Sequence, residues 1–169
     1  MTGQPAVVIA IGNPYRRDDG AGPVVASEIE RLRLPGVRIV MSDGEPVGLL
    51  AAWEDTDLAI VVDAIRHEPP CPGRVHRLTA TELDTDAAAA SSHGFGVPYA
   101  VRLSRALNRQ PGRLVLFGIE AADTDAGSGL SAAVAAAVPT AVAAVRAELG
   151  KRTQSWAAMR AARSTRRQV

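Results

Sequence analysis

Cysteine and lysine are nearly missing from this chain, with one of each, Cys71 and Lys151, in 169 residues. A single thiol excludes an internal disulfide and agrees with a reducing compartment, so the expected location is the cytoplasm. Cys71 itself lies in the turn-forming run PPCPG. No helix N-terminus is evident there to lower its pKa, which argues against a nucleophile. A lysine confined to position 151 removes the Gly-Lys-Ser/Thr ending of a phosphate-binding loop. The G-x-S-x-G elbow of a serine hydrolase is missing as well. Apolar runs stop well short of the ~20 residues of a membrane span. The opening MTGQPAVVIAIGNP has no basic region ahead of its apolar run, so no signal peptide is expected.

Charge is split along the chain. Residues 1–149 hold 13 basic and 18 acidic groups, a net of −5, whereas six cations and no acid follow Gly150. An acidic body does not suit nucleic acid, which needs a basic face on the fold itself. The hydrophobic share of 47% and charged share of 22% are those of a soluble globular chain, and the length fits one core. The expected organisation is therefore one domain over residues 1–149 and a basic, disordered tail over 150–169.

Within the body, apolar runs rich in β-branched residues alternate with helical spacing. Val7–Ile11, Val37–Met41, Leu58–Ile65, Arg74–Leu78 and Arg113–Ile119 read as strands. Helices are expected over Gly22–Leu34, Pro46–Trp53, a start near Thr79–Glu82, a stretch through about Leu107 into which His93-Gly94-Phe95-Gly96 leads, and a last helix capped by Ser131 and kinked at Pro139. Asp84–Ser92 reads as a loop. This order predicts an α/β three-layer sandwich: a twisted, mostly parallel sheet of about five strands with helices on both faces. Ligands of such sheets bind beyond the carboxyl ends of the strands, here the loops at 12–20, 42–48, 63–68 and 120–129.

The first of these loops, GNPYRRDDGAG, sits where many α/β proteins cradle a phosphate. Gly20 and Gly22 come too late for a dinucleotide fingerprint, and Asp18 and Asp19 would repel an anion. One aspartate suffices to cap the following helix, which leaves the second in need of a role. Asp63 ends the apolar strand AIVVDAI. A buried carboxylate there must be paired, exposed at the strand end, or bound to a cation. His93 lies in the glycine-rich loop SSHGFG. Two carboxylates and an imidazole at one sheet edge would form an open site suited to nickel, zinc, iron or manganese. His67, four residues beyond Asp63, is a rival ligand, and His76 reads as a packed or solvent-facing strand residue.

Five blocks in order, IGNPYRRDDGAGP, SDGEPVGL, IVVDAI, SSHGFGV and LFGIEAADTDAGSGLS, resemble the [NiFe]-hydrogenase maturation proteases. These endopeptidases trim the C-terminus of the hydrogenase large subunit. The resemblance covers about Val7 to Leu149. It implies metal-binding and catalytic positions at Asp19, Asp63 and His93, with Asp18 or a dissociated Asp19 as a candidate base. The family often carries glutamate at the first of these positions, one methylene longer than Asp19. The loop Asp43-Gly44-Glu45 corresponds to the one linked to substrate recognition, although Glu45-Pro46 replaces the usual small residues, and Asp43 alone also suits a turn. The metal implied is nickel carried by the large-subunit precursor, recognised by a half-empty ligand set on a monomeric enzyme. Two other readings stay open. One is a metal-dependent docking module that binds the precursor without cutting it. The other is a peptidyl-tRNA hydrolase, whose first turn also begins Gly-Asn-Pro but which calls for a basic face. A plain flavodoxin-like binding domain would leave Asp63 and SSHGFG unexplained.

Overall fold

The computed structural model describes residues 6–85, 90–91 and 96–165. Its sheet runs in the order β2 (Val37–Ser42), β1 (Ala6–Ile11), β3 (Leu58–Arg66), β6 (Leu114–Glu120), β4 (Val75–Thr79). The first four strands are mutually parallel and β4 is antiparallel to β6. A two-residue β5 (Ala90–Ser91) adds antiparallel to the end of β3, Ser91 opposite Ile65. Strands β1, β3 and β6 are buried on both faces, which is why they read as unbroken apolar runs.

Two cores follow from the alternation of side chains along these strands. On one face α1 (Ala21–Arg31) and α5 (Ala132–Thr165) pack over Val8, Ile60, Val62, Val115 and Phe117. On the other, α2 (Pro46–Trp53), α3 (Ala80–Thr85) and α4 (Gly96–Ala106) cover Ile9, Ile11, Val61 and Leu116. The three layers and the sheet of five main strands, to which the short β5 adds a sixth, match the sequence expectation of about five.

Details differ where distant residues intervene. In α1 it is Val25, Ala26 and Ile29 that are buried, while Val24 and, just past the helix, Leu32 are exposed. Of the expected loop Asp84–Ser92, the first two residues belong to α3 and Ala90–Ser91 form β5, while the remainder lies outside the described residues. Ser131 does precede the last helix, but its hydroxyl donates to Asp18 rather than capping α5. Pro139 lies inside α5, which does not stop at Gly150 but continues to Thr165. Residues Ala132–Lys151 of this helix are long and apolar enough by themselves to cross a membrane. Here Val134, Ala137, Ala141, Val145 and Leu149 are buried against α1 and the sheet, the packing of a core helix.

Candidate active site

The carboxyl end of β1 turns sharply at Gly12, which has φ +135°. A Cβ at this position would fall 1.9 Å from the carbonyl oxygen of Asp19, so only glycine lets the returning chain close on the strand end. The chain returns through a 3-10 turn, Arg17–Gly20, that feeds α1. Gly22, in the first turn of α1, brings the helix against two strands at once. A Cβ there would lie 2.4 Å from the Ile11 oxygen and 2.6 Å from the Val62 oxygen. These close approaches set both aspartates at the sheet edge, 0% and 1% exposed.

The two aspartates do different things. Asp19 accepts the Asn13 N–H at 2.8 Å through Oδ2, and its backbone abuts Gly12. Asp18 points the other way, into the loop after β6. Its Oδ2 accepts the N–H groups of Ala122 (2.8 Å) and Asp123 (3.0 Å) and the Ser131 hydroxyl (2.9 Å), and its Oδ1 accepts the Ser131 N–H (2.7 Å). Burial works to raise the Asp18 pKa, but these donors outweigh it and hold the carboxyl below its ordinary range. An anion with four donors and a lowered pKa is held in its charged form by the loop after β6.

Asp63 is 0% exposed on central strand β3. Its parallel partner on β6 is Gly118, and the pairing Ala10 with Val62 makes Ile11 its neighbour on β1. Alternation turns it to the same face as Val61, the side covered by α2 and α4. Adjacent strands are about 4.8 Å apart, so Asp63 lies one strand away from the β1 end on which Asp19 closes. The structure thus brings Asp19 and Asp63 to one end of the sheet. His93 lies outside the described residues. Among the described residues, no three His, Cys, Asp or Glu side chains form a group that could hold a metal.

The histidine rivals are placed elsewhere. His76 on β4 lies on the other side of Gly118 from Asp63. Its Nε2 is 2.5 Å from Oε1 of Glu120, and the His67 ring stacks on it with centroids 5.3 Å apart. Glu120 is 1% exposed and also accepts the Cys71 N–H at 2.6 Å. Burial tends to raise its pKa, but His76 and the Cys71 N–H outweigh that and lower it. His67 therefore belongs to a clamp on the turn between β3 and β4. Sequence reading missed this pair, because Glu120 and His76 lie 44 residues apart and neither breaks a pattern.

In the loop after β2, Asp43 Oδ1 accepts the Glu45 N–H at 3.1 Å, the turn-forming role. Glu45 caps α2, accepting the N–H groups of Val47 (3.1 Å) and Gly48 (2.9 Å). Gly44, at φ +85°, meets the start of α4, where a Cβ on Gly96 would come within 2.6 Å of the Gly44 oxygen. The Asp43-Gly44-Glu45 loop and the helix that follows His93 thus join at the same sheet end. Tyr15, Val47 and Tyr99, all exposed, belong to segments around it.

The family profile "HycI: Hydrogenase maturation protease" matches residues 23–148. No curated protein sequence matches the chain. Several solved structures do. The hydrogenase maturating endopeptidase HybD from E. coli is similar with a TM-score of 0.74 at 21% identity, over 87% of this chain and 93% of that one. The [NiFe] hydrogenase maturation protease HybD from Thermococcus kodakarensis gives 0.69 at 25% identity, over 84% and 97%. HycI from Thermococcus kodakarensis KOD1 gives 0.62 at 24% identity, over 84% and 90%. These likenesses establish the shared fold, and with a profile match over most of its length, the chain belongs to the hydrogenase maturation protease family of peptidases.

Proposed function

We propose that this peptidase removes the C-terminal extension of a nickel-loaded [NiFe]-hydrogenase large-subunit precursor, and that Asp19, Asp63 and His93 ligate the nickel the precursor carries. The observation that carries this reading is the placement of two almost fully buried carboxylates, Asp19 and Asp63, at one end of the sheet. Carboxylate and imidazole donors suit nickel among the first-row metals. Ser91 is paired with Ile65, two residues past Asp63, and His93 follows Ser91 by two. Two residues span up to ~7 Å, so His93 has the reach to join Asp63.

Hydrolysis breaks the peptide C–N bond. The hydroxyl of water goes to the acyl carbon and a proton goes to the departing amine. Nickel held jointly by precursor and enzyme orients the peptide and polarises the scissile carbonyl or the water. The exposed Asp43 with Gly44 and Glu45 contacts the precursor beside the cut, and Tyr15, Val47 and Tyr99 give that contact an apolar rim. The enzyme works as a monomer in the cytoplasm.

The test is incubation of purified protein with a nickel-loaded precursor, read by mass spectrometry. The wild type releases a short C-terminal peptide. Asp19→Ala, Asp63→Ala and His93→Ala, each shown folded by circular dichroism, lose at least about 100-fold in rate. Full activity of Asp63→Ala refutes the ligand set. Nickel-dependent binding with no cleavage by the wild type assigns the chain to docking instead.

A further inference from the structure

We infer that Asp18 is a positioning residue: by tying the loop after β6 and the start of α5 to the first turn, it presents Asp19 to the precursor's metal in a fixed pose. The inference rests on the ligand role proposed for Asp19. Asp18 makes no contact that suggests chemistry of its own. Its carboxylate gathers three backbone N–H groups and one hydroxyl, from partners 104 to 113 residues away. One of them, the Ser131 N–H, lies immediately ahead of the 34-residue helix α5, so a negative charge also meets the positive end of that helix.

The same two segments are stitched together on either side of this carboxylate. The Asp18 N–H donates to the Asp123 oxygen and the Arg17 N–H to the Gly127 oxygen, both at 3.0 Å, and the Gly127 N–H donates to the Tyr15 oxygen at 2.9 Å. Arg17 Nε is 3.2 Å from Asp123 Oδ2. Arg17 itself sits at φ +47°, a backbone state that a non-glycine residue keeps only when its surroundings over-determine it. The turn is therefore held in shape by the loop, and Asp18 is the only member of the brace that is fully buried. Asp19 is its covalent neighbour, with Oδ2 already fixed on the Asn13 N–H. A ligand held this way needs no reorganisation when the precursor's metal arrives, the condition under which small misplacements become costly in rate. The block EAADTDAGSGLS, prominent in the sequence but without a reactive residue, acquires a function in this way.

The experiment compares Asp18→Asn and Ser131→Ala with the wild type on a nickel-loaded precursor, measuring kcat and KM separately. Asparagine keeps the volume but turns an NH2 towards groups that donate. The expected result is a kcat lower by about 100-fold with KM within about twofold. Ser131→Ala, which removes one donor, lowers kcat by about fivefold and adds nothing in the Asp18→Asn background, because both changes cut the same brace. A second readout needs no catalysis: amide hydrogen exchange at Asn13, which reports whether Asp19 Oδ2 still sits on that N–H. Protection there falls about tenfold in Asp18→Asn while β6 amides keep theirs. Unchanged Asn13 protection, or an unchanged kcat in either folded variant, overturns the inference. A wild type that does not cleave overturns the proposed function instead and leaves the exchange result to decide this one. If Asp18→Asn does not fold, Ser131→Ala decides by the same two readouts.

Discussion

Among single residues, the glycines matter as much as the acids. Gly22 has no room for a methyl group between the Ile11 and Val62 oxygens. Gly22→Ala must push α1 away from β1 and β3, and with it the turn that carries Asp19. Forced overpacking of this kind costs about 3 kcal/mol. Urea unfolding of Gly22→Ala is expected to show that loss together with a fall in cleavage, whereas Gly150→Ala, where a Cβ meets nothing within 4 Å, shows neither. Residues differ in how far the sequence reveals them. Asp63 was legible because a carboxylate interrupts an apolar strand, and burying it without compensation is too costly to be accidental. The two jobs of Asp18 and Asp19 were not. The difference lies in donors from Ala122, Asp123 and Ser131, which no local pattern connects to the first turn.

For secondary-structure elements, β1, β3 and β6 were legible almost to the residue, because they are buried on both faces and must be apolar throughout, whereas the two-residue β5 falls within a segment that reads as a loop. The short α2 was legible from Pro46 at its start, and Glu45 supplies the cap. α5 was less so. Beyond Leu149 the sequence offers six cations and no stop signal apart from Gly150, which a helix tolerates at about 1 kcal/mol, and the helix runs on. Its anchor is Glu148, 1% exposed, which holds Arg77 on β4 at 3.1 Å, Arg113 just ahead of β6 at 3.1 Å, and Lys151 at 3.2 Å. Burial tends to raise the Glu148 pKa, but these cations outweigh it and lower it below 4.5. A carboxyl with a depressed folded pKa adds stability that is complete above its unfolded pKa. That stability is lost as the pH falls towards the folded value. Glu148→Gln should therefore cost about 2 kcal/mol at neutral pH, with the difference from wild type closing as the pH falls through the lowered folded pKa of Glu148. Denaturant titrations across that range check it, and a gap independent of pH contradicts the ion-pair account.

For the molecule as a whole, the proposed nickel reading gives the first turn of the sheet a cation as its partner in place of a phosphate. The parallel sheet puts its loops at one end, as in any doubly wound protein, but the first turn carries acid where others carry phosphate-binding backbone. The acidic body, net −5 over residues 1–149, agrees with a cationic centre in the partner. Fold and family were legible from five short blocks because the sheet fixes their order in space. A metal site of the proposed kind would not be legible in this sequence alone, since the proposal places part of the ligand set on the precursor. In the proposed function the enzyme reads nickel on its substrate. The most direct test is cleavage of one precursor prepared with and without nickel, side by side, by the wild-type protein and read by mass spectrometry. Loss of the C-terminal peptide is expected from the nickel-loaded form alone. Equal cleavage of the nickel-free form would contradict it, and would leave Asp19 and Asp63 to be explained without a metal.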